Sequence, residues 1–140
     1  SVSDFNVRIR PHPSISMEPA LAMASLSDTA FFDLSDGTLR EDLQWANVVL
    51  YASSTVGLEA ISLGIPAINL DLGTFLDEDP MLGWSEFKWT VTDPSELVNT
   101  INRIQTIPAH DFRQLQQKGQ EYAAAYLEPV TDEGLRRFLE

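Results

Sequence analysis

Residues 48–70 constrain the fold more than any other stretch. Val48-Val49-Leu50-Tyr51-Ala52 is a continuous β-branched and apolar run, the pattern of a strand buried on both faces of a parallel sheet. Ser53-Ser54-Thr55 opens a helix expected to reach about Leu63. Gly64-Ile65-Pro66 then stops that helix and launches a second apolar strand, Ala67 to Leu70.

The same alternation extends both ways along the chain. Phe5 to Arg10 alternates apolar and polar residues as a short strand does, and Pro11 and Pro13 end it. The 11–28 stretch is expected to hold a crossover helix around Pro19 to Leu26, and Thr29 to Leu34 reads as the next strand. Thr38 and Glu41 have capping-box spacing before a short helix through Trp45. Asp71 to Ser85 is a long acidic loop and Phe87 to Thr92 a short final strand. Asp93-Pro94-Ser95-Glu96 starts a helix carrying Leu97, Ile101, Ile104 and Ile107, and Phe112, Leu115, Tyr122 and Tyr126 mark another, as a core stripe. Thr131 is expected to cap a short terminal helix. With no repeat or linker, residues 1–140 are expected to form one α/β domain, an open Rossmann-like parallel sheet flanked by helices.

Such sheets bind ligands at the carboxyl ends of their strands, and the unusual residues fall there. Arg8-x-Arg10-Pro11-His12-Pro13 delivers two arginines on one strand face and holds a histidine at the strand's exit. An imidazole so placed can donate to a phosphate oxygen, a charge-assisted bond of roughly 1.5–3 kcal/mol; equally, it can be a surface-loop histidine beside solvated arginines. At Ser53-Ser54-Thr55-x-Gly57-x-Glu59, hydroxyls and free N–H groups meet at a helix start. They form either an anion cradle or a plain N-cap. Gly57 presents no side chain, so a ligand or a neighbouring backbone can approach. Glu59 can accept ribose hydroxyls or simply complement the helix dipole. His110 is read as a surface residue, and Asp77-Glu78-Asp79, lacking the spacing of a calcium loop, as a solvated loop. Trp84 and Trp89 are read as core or loop anchors.

Composition excludes several classes of function. The formal net charge of −12 argues against nucleic-acid binding and requires any bound phosphate to be held by local geometry. No cysteine is present, which removes disulfides, thiolate metal sites and cysteine nucleophiles and fits a cytoplasmic protein. No apolar run approaches the roughly 20 residues of a membrane span. Ser1 to Asn6 lack the basic and apolar parts of a signal peptide, although a chain beginning Ser-Val-Ser can be a trimmed piece. Peripheral membrane association of a parent protein stays open.

Arg10-Pro11-His12-Pro13 followed by Ser53-Ser54-Thr55-x-x-Leu58-Glu59-Ala60-x-x-x-Gly64-x-Pro66 resembles the C-terminal, donor-binding domain of glycosyltransferase-B-fold enzymes. The likeness is to bacterial capsule and surface-polysaccharide transferases, polysialyltransferase-like and CDP-glycerol glycerophosphotransferase-like enzymes among them, and covers roughly residues 5–75. It implies that His12 contacts the donor phosphate, as the acid assisting the leaving group, with Arg10 beside it. Ser53, Ser54 and Thr55 would bind the same phosphates, Gly57 would leave them room, Glu59 would hold the ribose and Asp71 would face the donor sugar. The implied ligand is a CMP-, CDP- or UDP-linked sugar, with no metal or other cofactor. The implied partner is an N-terminal acceptor-binding domain elsewhere in the parent chain, where the base that activates the acceptor is expected. Two positions depart from the pattern: Asn47 stands where an aspartate often precedes the buried strand, and Tyr51 replaces the histidine or glycine of UDP-sugar enzymes. A nucleotide-sugar epimerase half-domain and a non-catalytic interaction module of the same architecture are the alternatives.

Overall fold

The computed structural model describes residues 5–12, 16, 18–23, 32–71, 73 and 79–127. The chain is α/β, with small parallel sheets flanked by helices. It forms two compact units, Ser1–Ala46 and Asn47–Glu140.

The first unit contains β1 (Arg8–Ile9), α1 (Glu18–Met23), β2 (Asp33–Leu34) and α2 (Leu39–Trp45). β1 and β2 pair in parallel, with Arg8 opposite Asp33 and Ile9 opposite Leu34. Parallel neighbours need a crossover, and α1 lies within it, as the helix-forming 19–26 stretch predicts. Thr38 and Glu41 form the anticipated capping box: Thr38 N–H donates to the Glu41 carboxylate at 2.7 Å, and Glu41 N–H donates to Thr38 Oγ1 at 3.3 Å. The Thr38 N–H bond and, after it, a 2.8 Å bond from the Thr38 hydroxyl to the same carboxylate hold the Glu41 carboxyl below its ordinary pKa.

The second unit contains β3 (Val49–Tyr51), α3 (Val56–Ser62), β4 (Ala67–Leu70), β5 (Lys88–Val91), a 3-10 turn at Pro94–Glu96, α4 (Leu97–Gln105) and α5 (Ala109–Tyr126). Its three strands are all parallel in the order β3-β4-β5. Because successive side chains point to opposite faces, neighbouring residues of β4 serve two cores. Ala67 packs with Tyr51, Leu58, Ile61, Met81, Phe87 and Ala123, beside α3 and α5. Ile68 packs with Val91 and Ile104, beside α4.

β3 departs from the expectation of burial on both faces, since Leu50 is 40% exposed. Among the described residues β3 is an outer strand pairing only with β4, and strand order is a non-local property that an apolar run does not encode. Tyr126 likewise leaves the anticipated stripe: Phe112, Leu115 and Tyr122 pack on the core, whereas Tyr126 is 56% exposed. Trp84 and Trp89 are anchors, and Trp84 stacks on Tyr122 at 4.1 Å between ring centroids. The expected cap at Thr131 lies outside the described residues.

Two close approaches set the position of α5. Gly64, at φ +77°, ends α3 in the left-handed region, and its carbonyl accepts from the Gln116 side chain at 2.8 Å. Phe87 enters β5 at φ +63°, a conformation costing about 1–2 kcal/mol for a residue with a Cβ. Its fully buried ring offsets that cost, lying edge-on to Phe112 and so near Gly119 that a Cβ there would sit 3.0 Å from the ring.

Candidate functional site at the strand ends

In the first unit the motif arginines turn inward on one acid. The Asp42 carboxylate accepts from Arg8 at 3.3 Å, Arg10 at 2.8 Å and Ser35 Oγ at 2.5 Å. Arg10 also donates to the Gly37 carbonyl at 2.7 Å and to Ser35 Oγ at 3.3 Å, while Arg8 lies over the Trp45 ring at 4.3 Å. The two arginines do share a strand face, but their charge is directed at Asp42. Burial on its own raises a carboxyl pKa; here the bonds from Ser35, Arg10 and Arg8 outweigh it and hold Asp42 below the ordinary value. His12 is exposed three residues beyond the end of β1.

Beyond the carboxyl end of β2 opens a cleft of about 460 Å³, lined among others by Arg8, Asp33, Asp36, Glu41 and Asp42. Four carboxylates face one guanidinium that is already paired, so the cleft disfavours a phosphate and suits a cationic or hydrogen-bond-donating group.

In the second unit Ser53, Ser54 and Thr55 are exposed just past β3. Ser54 Oγ accepts from Val56 N–H at 3.2 Å, a local turn bond at the start of the helix. Thr55 occupies the N-cap position without a side-chain cap bond, so its hydroxyl is not consumed by the helix. Since β3 and β4 are parallel, Asp71, exposed just past β4, lies at the same edge of the sheet as Ser53–Thr55. The Asp71 carboxylate accepts from Gly73 N–H at 2.9 Å, closing a local turn. Glu59 is half-buried on α3. The space that Gly57 leaves open is filled by the Tyr51 ring: a Cβ on Gly57 would lie 2.4 Å from Tyr51 Cε1. A side chain, rather than a ligand or another backbone, makes the close approach.

The polar side chains of Asn69, Asp79 and Lys88 in this unit are buried, and none is marked as buried by the sequence pattern alone. Asn69, buried on the central strand, donates to the Ala52 carbonyl at 2.8 Å. The Asp79 side chain is only 5% exposed, in contrast to the solvated acid expected of its loop. It is ion-paired with the equally buried Lys88 and accepts from Tyr51 OH at 2.8 Å and Met81 N–H at 3.0 Å. Lys88 also donates to the Met81 carbonyl at 2.9 Å. Burial would raise the Asp79 pKa, but Lys88, the Met81 amide and Tyr51 together hold it below the ordinary carboxyl value. The available signal was Lys88 itself, a cation flanked by Phe87 and Trp89 in a strand. A lysine there needs a buried acid. His110 is exposed, as anticipated, and contacts Gln114.

Among the described residues no group of three or more histidine or acidic side chains is arranged to hold a metal ion, and no helix is long and apolar enough to cross a membrane. Comparison with protein-family models, curated proteins and solved structures finds no match to the chain.

Proposed function

We propose that the chain binds a nucleotide-sugar donor, as the donor-binding half of a glycosyltransferase-B-type enzyme of surface or capsular polysaccharide synthesis. The supporting observation is that His12, Ser53–Thr55 and Asp71 each follow the carboxyl end of a strand that runs parallel to its neighbour, where open α/β sheets take their ligands. The exposed hydroxyls of Ser53 and Thr55 suit donor phosphates, with His12 as the acid that assists the departing nucleotide. Such donors would aid transfer by stabilising charge on the leaving phosphate as an acceptor hydroxyl attacks the anomeric carbon. Arg10, tied to Asp42 and Gly37, acts in this scheme by shaping the approach to His12 rather than by donating a free charge.

The test is titration of CMP, CDP, UDP and their sugars against the backbone amides by NMR. Amides of Arg10, His12 and residues 53–59 should move together with one dissociation constant, and His12→Ala should weaken binding by roughly 1.5–3 kcal/mol. Amides that stay still at millimolar ligand would end the proposal, and unchanged affinity in His12→Ala would remove the imidazole from it.

A further inference from the structure

Two buried polar side chains grip the backbone and ring immediately ahead of Ser53–Thr55, and neither is needed to complete the sheet. Asn69, from the central strand, takes the Ala52 carbonyl at 2.8 Å. Asp79 takes the Tyr51 phenol at 2.8 Å and is itself held by Lys88 of β5. Asn69 lies on β4, and Asp79 lies midway along the segment linking β4 to β5. The Tyr51 ring, fixed at its hydroxyl, sits over Gly57 with no room for a methyl group, so the position of the ring sets how the first turn of α3 lies against β3.

We infer that Asn69 and Asp79 are positioning residues for the 53–55 turn, acting through Ala52 and through Tyr51 and Gly57, and so set the aim of the strand-end hydroxyls. As a statement about donor binding this rests on the function proposed above; as a statement about the turn it does not, and the two fail separately.

The two roles of the Asp79–Lys88 pair are separable by chemistry. Replacing a buried ion pair with apolar residues of similar volume is often neutral or stabilising, so Asp79→Leu/Lys88→Met should keep the second unit folded while removing the bond from Tyr51 OH to Asp79. Tyr51→Phe makes the same cut from the other side, retaining the ring, and Asn69→Leu removes the grip on Ala52. Amide hydrogen exchange is measured on the ligand-free 140-residue chain. Exchange at Glu59, whose N–H donates to the Thr55 carbonyl at 3.0 Å and so reports on the 53–55 turn, should rise by about tenfold or more in each variant, the expected loss for one buried hydrogen bond, with Ile68 and Trp89 in the sheet holding their rates. Wild-type rates at Glu59 in Tyr51→Phe and Asn69→Leu would overturn the inference, as would an equal rise at every amide, which signals general destabilisation alone. Titration of CMP and CDP sugars then separates the two statements. If the wild-type chain ignores the donors while the exchange pattern responds, donor binding is what fails and the positioning role stands.

Discussion

Each unit organises its strand ends around one aspartate, and the two aspartates live in different dielectric surroundings. Asp42 gathers Arg8, Arg10 and Ser35 at the rim of an open cleft, with its own side chain 13% exposed and the arginines 29% and 36% exposed. Asp79 gathers Lys88, Tyr51 and the Met81 amide within the packing of the second unit, where acid and lysine are each 5% exposed. The donors are chemically alike, yet water reaches one cluster and not the other. Water screens the first pair and solvates whichever partner survives a mutation; in the second, a surviving charge keeps only neutral partners and little water. The apolar surroundings differ in parallel: among the described residues Leu43 is the one buried hydrophobic residue of the first unit, while the rest of the buried core belongs to the second.

The widest gap between the two aspartates should appear on truncation. Asp79→Asn strands a buried ammonium and should cost about 3–5 kcal/mol, whereas Asp42→Asn, whose partners stay hydrated, should cost about 1 kcal/mol. Chemical denaturation followed by the indole N–H signals reads the units separately, because Trp45 lies in the first and Trp84 and Trp89 in the second. Equal costs would erase the distinction drawn from burial. Acid sharpens it further. A carboxyl whose folded-state pKa is depressed contributes fully above its unfolded value of about 3.9 and loses that contribution as pH falls through the lower folded value. Both aspartates are depressed, so each unit should weaken below about pH 4, and Asp79→Asn should reduce that slope in the second unit alone, leaving the contribution of Asp93. Next in size is Gly57→Ala, whose methyl group collides with the Tyr51 ring rather than with a flexible chain end. It should cost about 1–3 kcal/mol by overpacking, and Gly57→Ala/Tyr51→Leu should recover much of it. The smallest expected effect is Thr38→Ala in the first unit, about 1 kcal/mol for a lost N-cap, confined to the Trp45 signal.

What could be read from the sequence was what neighbouring residues decide among themselves. The Thr38–Glu41 box, the Gly64-Ile65-Pro66 stop, the Asp93 cap and the helix between two parallel strands all follow from residues a few positions apart. The strand-end location of His12, Ser53–Thr55 and Asp71 was legible for the same reason: strand exits are marked by local breaks in apolar pattern. The Tyr51–Asp79–Lys88 cluster was not, because Asp79 is separated from its partners by 28 and 9 residues and sits in a run of acids that reads as hydrated. The inward turn of Arg8 and Arg10 was missed because Asp42 looks like an ordinary first-turn acid of a helix. The exposure of Leu50 depends on strand order, which no single segment carries.

The dependence of the second unit's interior on α5 has a consequence during synthesis. Ala123 is fully buried beside Tyr51 and Leu58, and Phe87 reaches its place only against Gly119. A nascent chain that has released all three strands from the ribosome therefore still carries an uncovered apolar surface until the stretch around residues 119–123 emerges. Over that interval the growing polypeptide is a natural client for chaperones, and a stalled or truncated translation product ending before α5 is a candidate for aggregation rather than for a smaller native structure.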